Sequence, residues 1–200
     1  RKRFENHDTA KVTNLANQTC IAANMPPKTN IVFEGKAGDN FAGLNQGSKI
    51  VLNGDAGRFV GNAMKSGEVI INGNCDDGAG HSMCGGKLVV QGSVDGDAGA
   101  SMHGGDLLVS GSVRGDLATC MNQGNIIVCG DVLGDVGRMM DNGKIFIAGD
   151  FDENENIDAK NISPSDWKKV KVELKDNGID SKDLDFKAIS SKKIIKKQNA

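Results

Sequence analysis

The sequence predicts an all-β fold, a right-handed parallel β-helix of 19-residue coils with about seven strands and a short C-terminal helix. The first observation behind this is a repeat. Seven short apolar runs (NIVFEG, KIVLNG, EVIING, KLVVQG, DLLVSG, NIIVCG and KIFIAG) end in Gly35, Gly54, Gly73, Gly92, Gly111, Gly130 and Gly149, at an unbroken interval of 19 residues. The second is that the segments between them align in columns. Gly67, Gly86, Gly105, Gly124 and Gly143 precede the strands, and Met64, Met83, Met102, Met121 and Met140 lie three residues earlier. Each run is too short for a helix, rich in Ile and Val and bounded by glycine, which reads as a strand. A pattern that never reverses cannot make hairpins, so successive units must stack as parallel strands about 4.8 Å apart. The right hand is the one favoured for parallel crossovers.

Composition agrees with this architecture. The chain has 200 residues, 27 of them glycine and only 3 proline, which points to many tight backbone corners. Gly54, Gly73, Gly92, Gly111, Gly130 and Gly149 are the structural corners, and the methionine column is expected to fill the inside of the coil. A formal net charge of −2 gives no general reason for nucleic acid or an acidic membrane as partner. No run of 18 apolar residues is present, and no signal-peptide core follows Arg1. The five cysteines contain no C-x-x-C pair, so they read as reduced, mostly buried and cytoplasmic rather than as metal or cluster ligands.

Three regions follow. Residues 1–29 lack the period and form an N-terminal arm or irregular first coil. Residues 30–150 are the β-helix. Residues 151–200 carry an acidic linker, an amphipathic helix and a basic tail. In SPSDWKKVKVELKDNG, Ser163 is the expected N-cap, Pro164 the first helical residue and Gly178 the stop. Trp167, Val170 and Leu174 share one helix face. The lysines 187, 192, 193, 196 and 197 read as a solvated tail.

Strand alternation divides the apolar residues into two ladders. Val51, Ile70, Val89, Leu108, Ile127 and Phe146 point opposite to their neighbours, so both sheet faces are apolar. The outer ladder must be covered, either by the chain's own C-terminal segment or by a partner protein. With Trp167 it forms the expected partner interface. No catalytic, cofactor-binding or metal-binding residue is expected. His81, Ser82 and Cys84 resemble a catalytic cluster, yet the nucleophile-elbow pattern fails because Cys84 stands where a glycine belongs. His81 occupies a variable column shared with Thr119 and Arg138. Asp97, Asp116 and Asp135 recur at the turns, but calcium-binding rolls repeat every nine residues rather than 19, so these aspartates read as turn formers.

The unit [GA]-x-x-M-x-x-G-x-[IVL]-[IVLF]-[IVL]-x-G, repeated at 19 residues, resembles the GXGXG domain. That domain is the C-terminal β-helix of glutamate synthase large subunits, and it also occurs in standalone glutamate-synthase-like subunits such as those of N-methylglutamate synthase. It is related to the β-helical subunit of formylmethanofuran dehydrogenase. The segment from Ser163 to Lys193, with its helix, Asp183, Asp185 and Phe186, is similar to the tail of the standalone subunits. The resemblance implies a noncatalytic scaffold within an oxidoreductase and amidotransferase complex that makes glutamate or N-methylglutamate. Its implied partners are a glutaminase-type amidotransferase chain and a synthase chain holding FMN and an iron–sulfur cluster, neither group lying in this chain. A formylmethanofuran dehydrogenase scaffold is the alternative. A standalone binding module using His81, Thr119 and Arg138 is a third.

Overall fold

The computed structural model describes residues 9–192 and is a parallel β-solenoid. The basic opening of Arg1, Lys2 and Arg3, and the tail residues Lys193, Ile194, Ile195, Lys196 and Lys197, lie outside the described residues.

Eight strands stack in chain order: β1 (Ala10–Gln18), β2 (Asn30–Ala37), β3 (Gln46–Asn53), β4 (Ser66–Ile71), β5 (Lys87–Val90), β6 (His103–Val109), β7 (Gln123–Val128) and β8 (Lys144–Ile147). All seven pairings between them are parallel. From β2 onward the aligned partners are those of the 19-residue period, Val51 beside Ile70, then Val89, Leu108, Ile127 and Phe146. Two shorter ladders close each coil, one through Ala56, Cys75, Val94, Val113 and Val132, the other through Ala79, Ala98, Leu117 and Val136.

The coil interior is filled by stacked columns. Met64, Met83, Met102 and Met121 are fully buried and Met140 nearly so. In the first full coil Asn45 takes the methionine's place and is equally buried, with both its amide nitrogen and its oxygen bonded. Its Nδ2 donates to the Ser48 carbonyl at 2.9 Å, and its Oδ1 accepts the Ser48 N–H at 3.0 Å. The corner glycines are dictated by close approach of successive coils. A Cβ on Gly73 would sit 2.5 Å from the Gly54 carbonyl oxygen, so any side chain would push the coils apart.

The two ends differ. At the C-terminal end β10 (Lys187–Ser191) adds antiparallel to β8, and β9 (Ile157–Asn161) adds outside β10. Ile157 and Ile189 close the interior there. Lys187 and Ile189, expected in a solvated tail, are thus part of a strand, because Ile189 buries against the last coil. At the other end β1 meets β2 with two register shifts, and Asn14 and Asn17 adopt positive φ. Such bulges with a lysine nearby, here Lys11, blunt an edge strand against further pairing.

The helix α1 (Pro164–Asp176) has the expected caps. Ser163 Oγ accepts the Asp166 N–H at 3.1 Å. At the far end Gly178 (φ 73°) and Ile179 donate to the carbonyls of Lys175 and Leu174, a Schellman stop. No helix among the described residues is long and apolar enough to cross a membrane.

Candidate interface on the outer sheet face

The outer ladder is covered over four coils by the chain's own C-terminal segment. Val89, Leu108, Ile127 and Phe146 are buried against Val170 and Leu174 of α1 and against Phe186. Trp167 packs at the margin of this cluster, its ring 6.0 Å from that of Phe186. These are members of the ladder expected to meet a partner, and a partner could reach them only by displacing α1. Coverage thins toward the N-terminal coils, where Ile70 packs only against the margin of this cluster. Val51 and Ile70 remain half-buried, and Val32 continues the same strip on β2.

The half-buried strip is framed by polar ladders. On the side where the strands begin, Lys49 pairs with Glu68 at 2.7 Å. On the other, Asn72 donates to Asn53 at 2.7 Å, and Asn53 to Glu34 at 2.9 Å. So narrow an apolar strip with a polar frame differs from an open, aggregation-prone face.

Ion pairs fix α1 across the coils, and the sequence reading missed them. Asp166 in the first helical turn meets Lys144 of β8 at 2.7 Å, Glu173 pairs with Lys87 of β5, and Gln91 donates to the Asn177 carbonyl at 2.9 Å. The helix therefore runs along the solenoid axis, from the last parallel coil back toward the middle. The Lys144 ammonium, aided by the Ser163 hydroxyl, holds the Asp166 carboxyl below the usual carboxylate range. The sequence did contain a signal, since the column Lys49, Glu68, Lys87, Asp106 alternates in charge immediately beside the apolar ladder.

The Ser82–His81 pair and the repeated aspartates make local bonds. Ser82 Oγ lies 3.0 Å from His81 Nδ1, and His81 packs edge-on against Phe59. The backbone N–H groups of His81, Ser82, Met83 and Cys84 all donate to carbonyls within the coil stack, leaving none of them to stabilise an oxyanion. The repeated aspartates are turn formers with a defined job. Asp97 accepts the N–H of Asp116, and Asp116 that of Asp135, at 2.7 and 3.0 Å, so each carboxylate bonds the coil above. A parallel column, Asp55 to Asn74 to Ser93 to Ser112 to Asp131, does the same. Among the described residues no group of three or more His, Cys, Asp or Glu is gathered as a metal site.

The cysteines depart from expectation. Cys75 is an interior-column residue whose thiol burial pushes up strongly, and burial lifts Cys129 to about 11. Cys20, Cys84 and Cys120 are exposed. The repeat columns explain this, since Cys84 stands where other coils place Lys65, His103 and Asn122.

His81, Thr119 and Arg138 occupy one column of the period. Arg138 lies 3.9 Å from Asp116, and Thr119 Oγ1 is the one buried side-chain oxygen among the described residues without a hydrogen-bond partner. An orphaned hydroxyl costs about 1–3 kcal/mol. Thr119→Val is therefore expected to stabilise the chain by about 1 kcal/mol in urea unfolding, and a loss of stability would show that the hydroxyl has a partner in solution.

Compared with known protein families and with curated proteins, the chain matches none.

Proposed function

We propose that this chain is a noncatalytic structural subunit of a cytoplasmic, glutamate-synthase-like complex. Its role is to hold a glutaminase-type amidotransferase chain and a synthase chain carrying FMN and an iron–sulfur cluster in register. The observation that carries this reading is the 19-residue unit itself, with corner glycines and a buried methionine column continuous through Met140. Two further features support it. The Ser82 and His81 side chains bond each other within one coil, and the Asp97 and Asp116 carboxylates bond one coil to the next. The outer ladder is only half-buried at Val51 and Ile70, which leaves room for a partner contact.

A rigid solenoid serves such a role because each coil is bonded to its neighbours over three ladders, so its two ends keep a fixed separation. The test is the double variant Val51→Glu/Ile70→Glu in the assembled complex. Both positions are half-buried, so the solenoid should keep its fold and unfolding midpoint to within a modest loss. Assembly with the amidotransferase and synthase chains should weaken by tenfold or more, the cost of facing two charges with an apolar partner surface. Undiminished assembly would remove the strip from the interface.

A further inference from the structure

Between α1 and the starts of the outer strands lies a cavity of about 730 Å³, within the size range of small-molecule sites. Its floor is apolar, built from Leu108, Ile127 and Phe146, with Val170 and Val172 on the helix side. Val172 remains 50% exposed at this surface, leaving apolar area in water that a ligand would cover.

The polar groups at the rim follow two matched rows. Asp166, Lys169 and Glu173 fall on one helix stripe at i, i+3 and i+7. The facing sheet column runs Lys144, Asn125, Asp106, Lys87. The outer members close as the ion pairs Asp166–Lys144 and Glu173–Lys87. The middle members do not: Lys169 and Asp106 both line the cavity without meeting within 4.0 Å. Asp106 instead accepts a hydrogen bond from Asn125 at 2.8 Å. Lys168, which also lines the cavity, joins Lys169 in having no ion pair among the described residues. The helix is thus tied down at both ends over a gap with an apolar floor and two ammonium groups that close no ion pair among the described residues, Lys169 standing near enough to Asp166 to help lower its carboxyl.

We propose that this cavity binds a small amphipathic anion, an apolar chain or ring bearing a single carboxylate. The apolar body lies on Val172 and on the narrow exposed edges of Ile127 and Phe146, and the carboxylate pairs with Lys168 and Lys169. The charge balance selects an anion. Four lysines line the cavity (Lys87, Lys144, Lys168 and Lys169) against three carboxylates (Asp106, Asp166 and Glu173), an excess of one positive charge. This inference concerns the chain's own pocket and stands apart from the scaffold reading.

The test is calorimetric titration of the full chain with decanoate, alongside decylamine and 1-decanol, all below micelle-forming concentrations. Decanoate is expected to bind saturably at one site, and decylamine at least tenfold more weakly. Lys168→Glu/Lys169→Glu should weaken decanoate by about tenfold, from two lost attractions turned to repulsions. Val172→Glu, at an exposed position, should weaken it comparably. Trp167 emission reports that α1 stays in place in each variant, and Lys168→Gln/Lys169→Gln replaces the charge reversal should that emission shift. The proposal is overturned by an absence of saturable decanoate binding, as a groove reserved for a partner segment would give. It is equally overturned by binding that decylamine matches or that the variants leave unchanged.

Discussion

Leu108→Asp is expected to release α1 from the solenoid while leaving the coils intact. Leu108 is 2% exposed and lies in the cluster formed with Val170, Leu174 and Phe186. A carboxylate there loses its water without gaining a partner, a penalty of about 3–5 kcal/mol for an uncompensated buried charge. The cheapest escape is for the helix to leave, since the strand beneath is bonded on both sides. A 13-residue helix is marginal in water once undocked, so it should then unravel. Trp167, the only tryptophan of the chain, reports the event. Its emission should shift to the red, and amide exchange should accelerate over residues 164–176 while residues 88–90 stay protected. An unshifted emission with a protected helix would contradict the packing of the outer ladder against this segment.

Met102→Ala is expected to destabilise the solenoid by about 2–5 kcal/mol, the range for truncating a buried methionine. Met102 is fully buried in the interior column, and its side chain reaches toward Gly99 and Gly124 in its own coil and the next. Ile126 reaches the same space beside Gly99, so how far its δ-methyl can move in decides where in this range the loss falls. The urea midpoint should fall with little change in slope, since a solenoid that remains cooperative exposes the same surface on unfolding. Met102→Leu should cost less than about 1.5 kcal/mol. A loss below about 0.5 kcal/mol for the alanine variant would mean that the column is not a close-packed core.

Much of the fold was legible because the solenoid writes itself into the sequence once per coil. Val51, Ile70, Val89, Leu108, Ile127 and Phe146 occupy one position of the period, and the strand pairing reproduces that alignment rung by rung. The helix was legible through Ser163, Pro164 and Gly178, each placed by local backbone chemistry. The ends were not. β10 is a five-residue strand whose one fully buried residue, Ile189, sits between half-buried and exposed neighbours in a lysine-bearing stretch, and nothing in that pattern marks its antiparallel pairing. β1 lacks the period because Asn14 and Asn17 break its register.

The candidate interface was legible in part. Alternation identified an outer apolar ladder, but two apolar surfaces do not state which covers which. Docking of α1 over Val89 to Phe146 is fixed by side chains far apart in sequence, Lys87 with Glu173 and Lys144 with Asp166. The cavity between them arises from a mismatch, Lys169 opposite an Asp106 already engaged by Asn125, which becomes visible only once helix and sheet are set together.

The scaffold reading is tested most directly by isolating the tagged chain from its native host under gentle conditions and recording composition, mass and absorption spectrum of the eluate. The reading predicts a complex of defined stoichiometry containing a glutaminase-type chain and a second chain with flavin and iron–sulfur absorption. A colourless eluate holding this chain alone, at the mass of a monomer or a homo-oligomer, would contradict it.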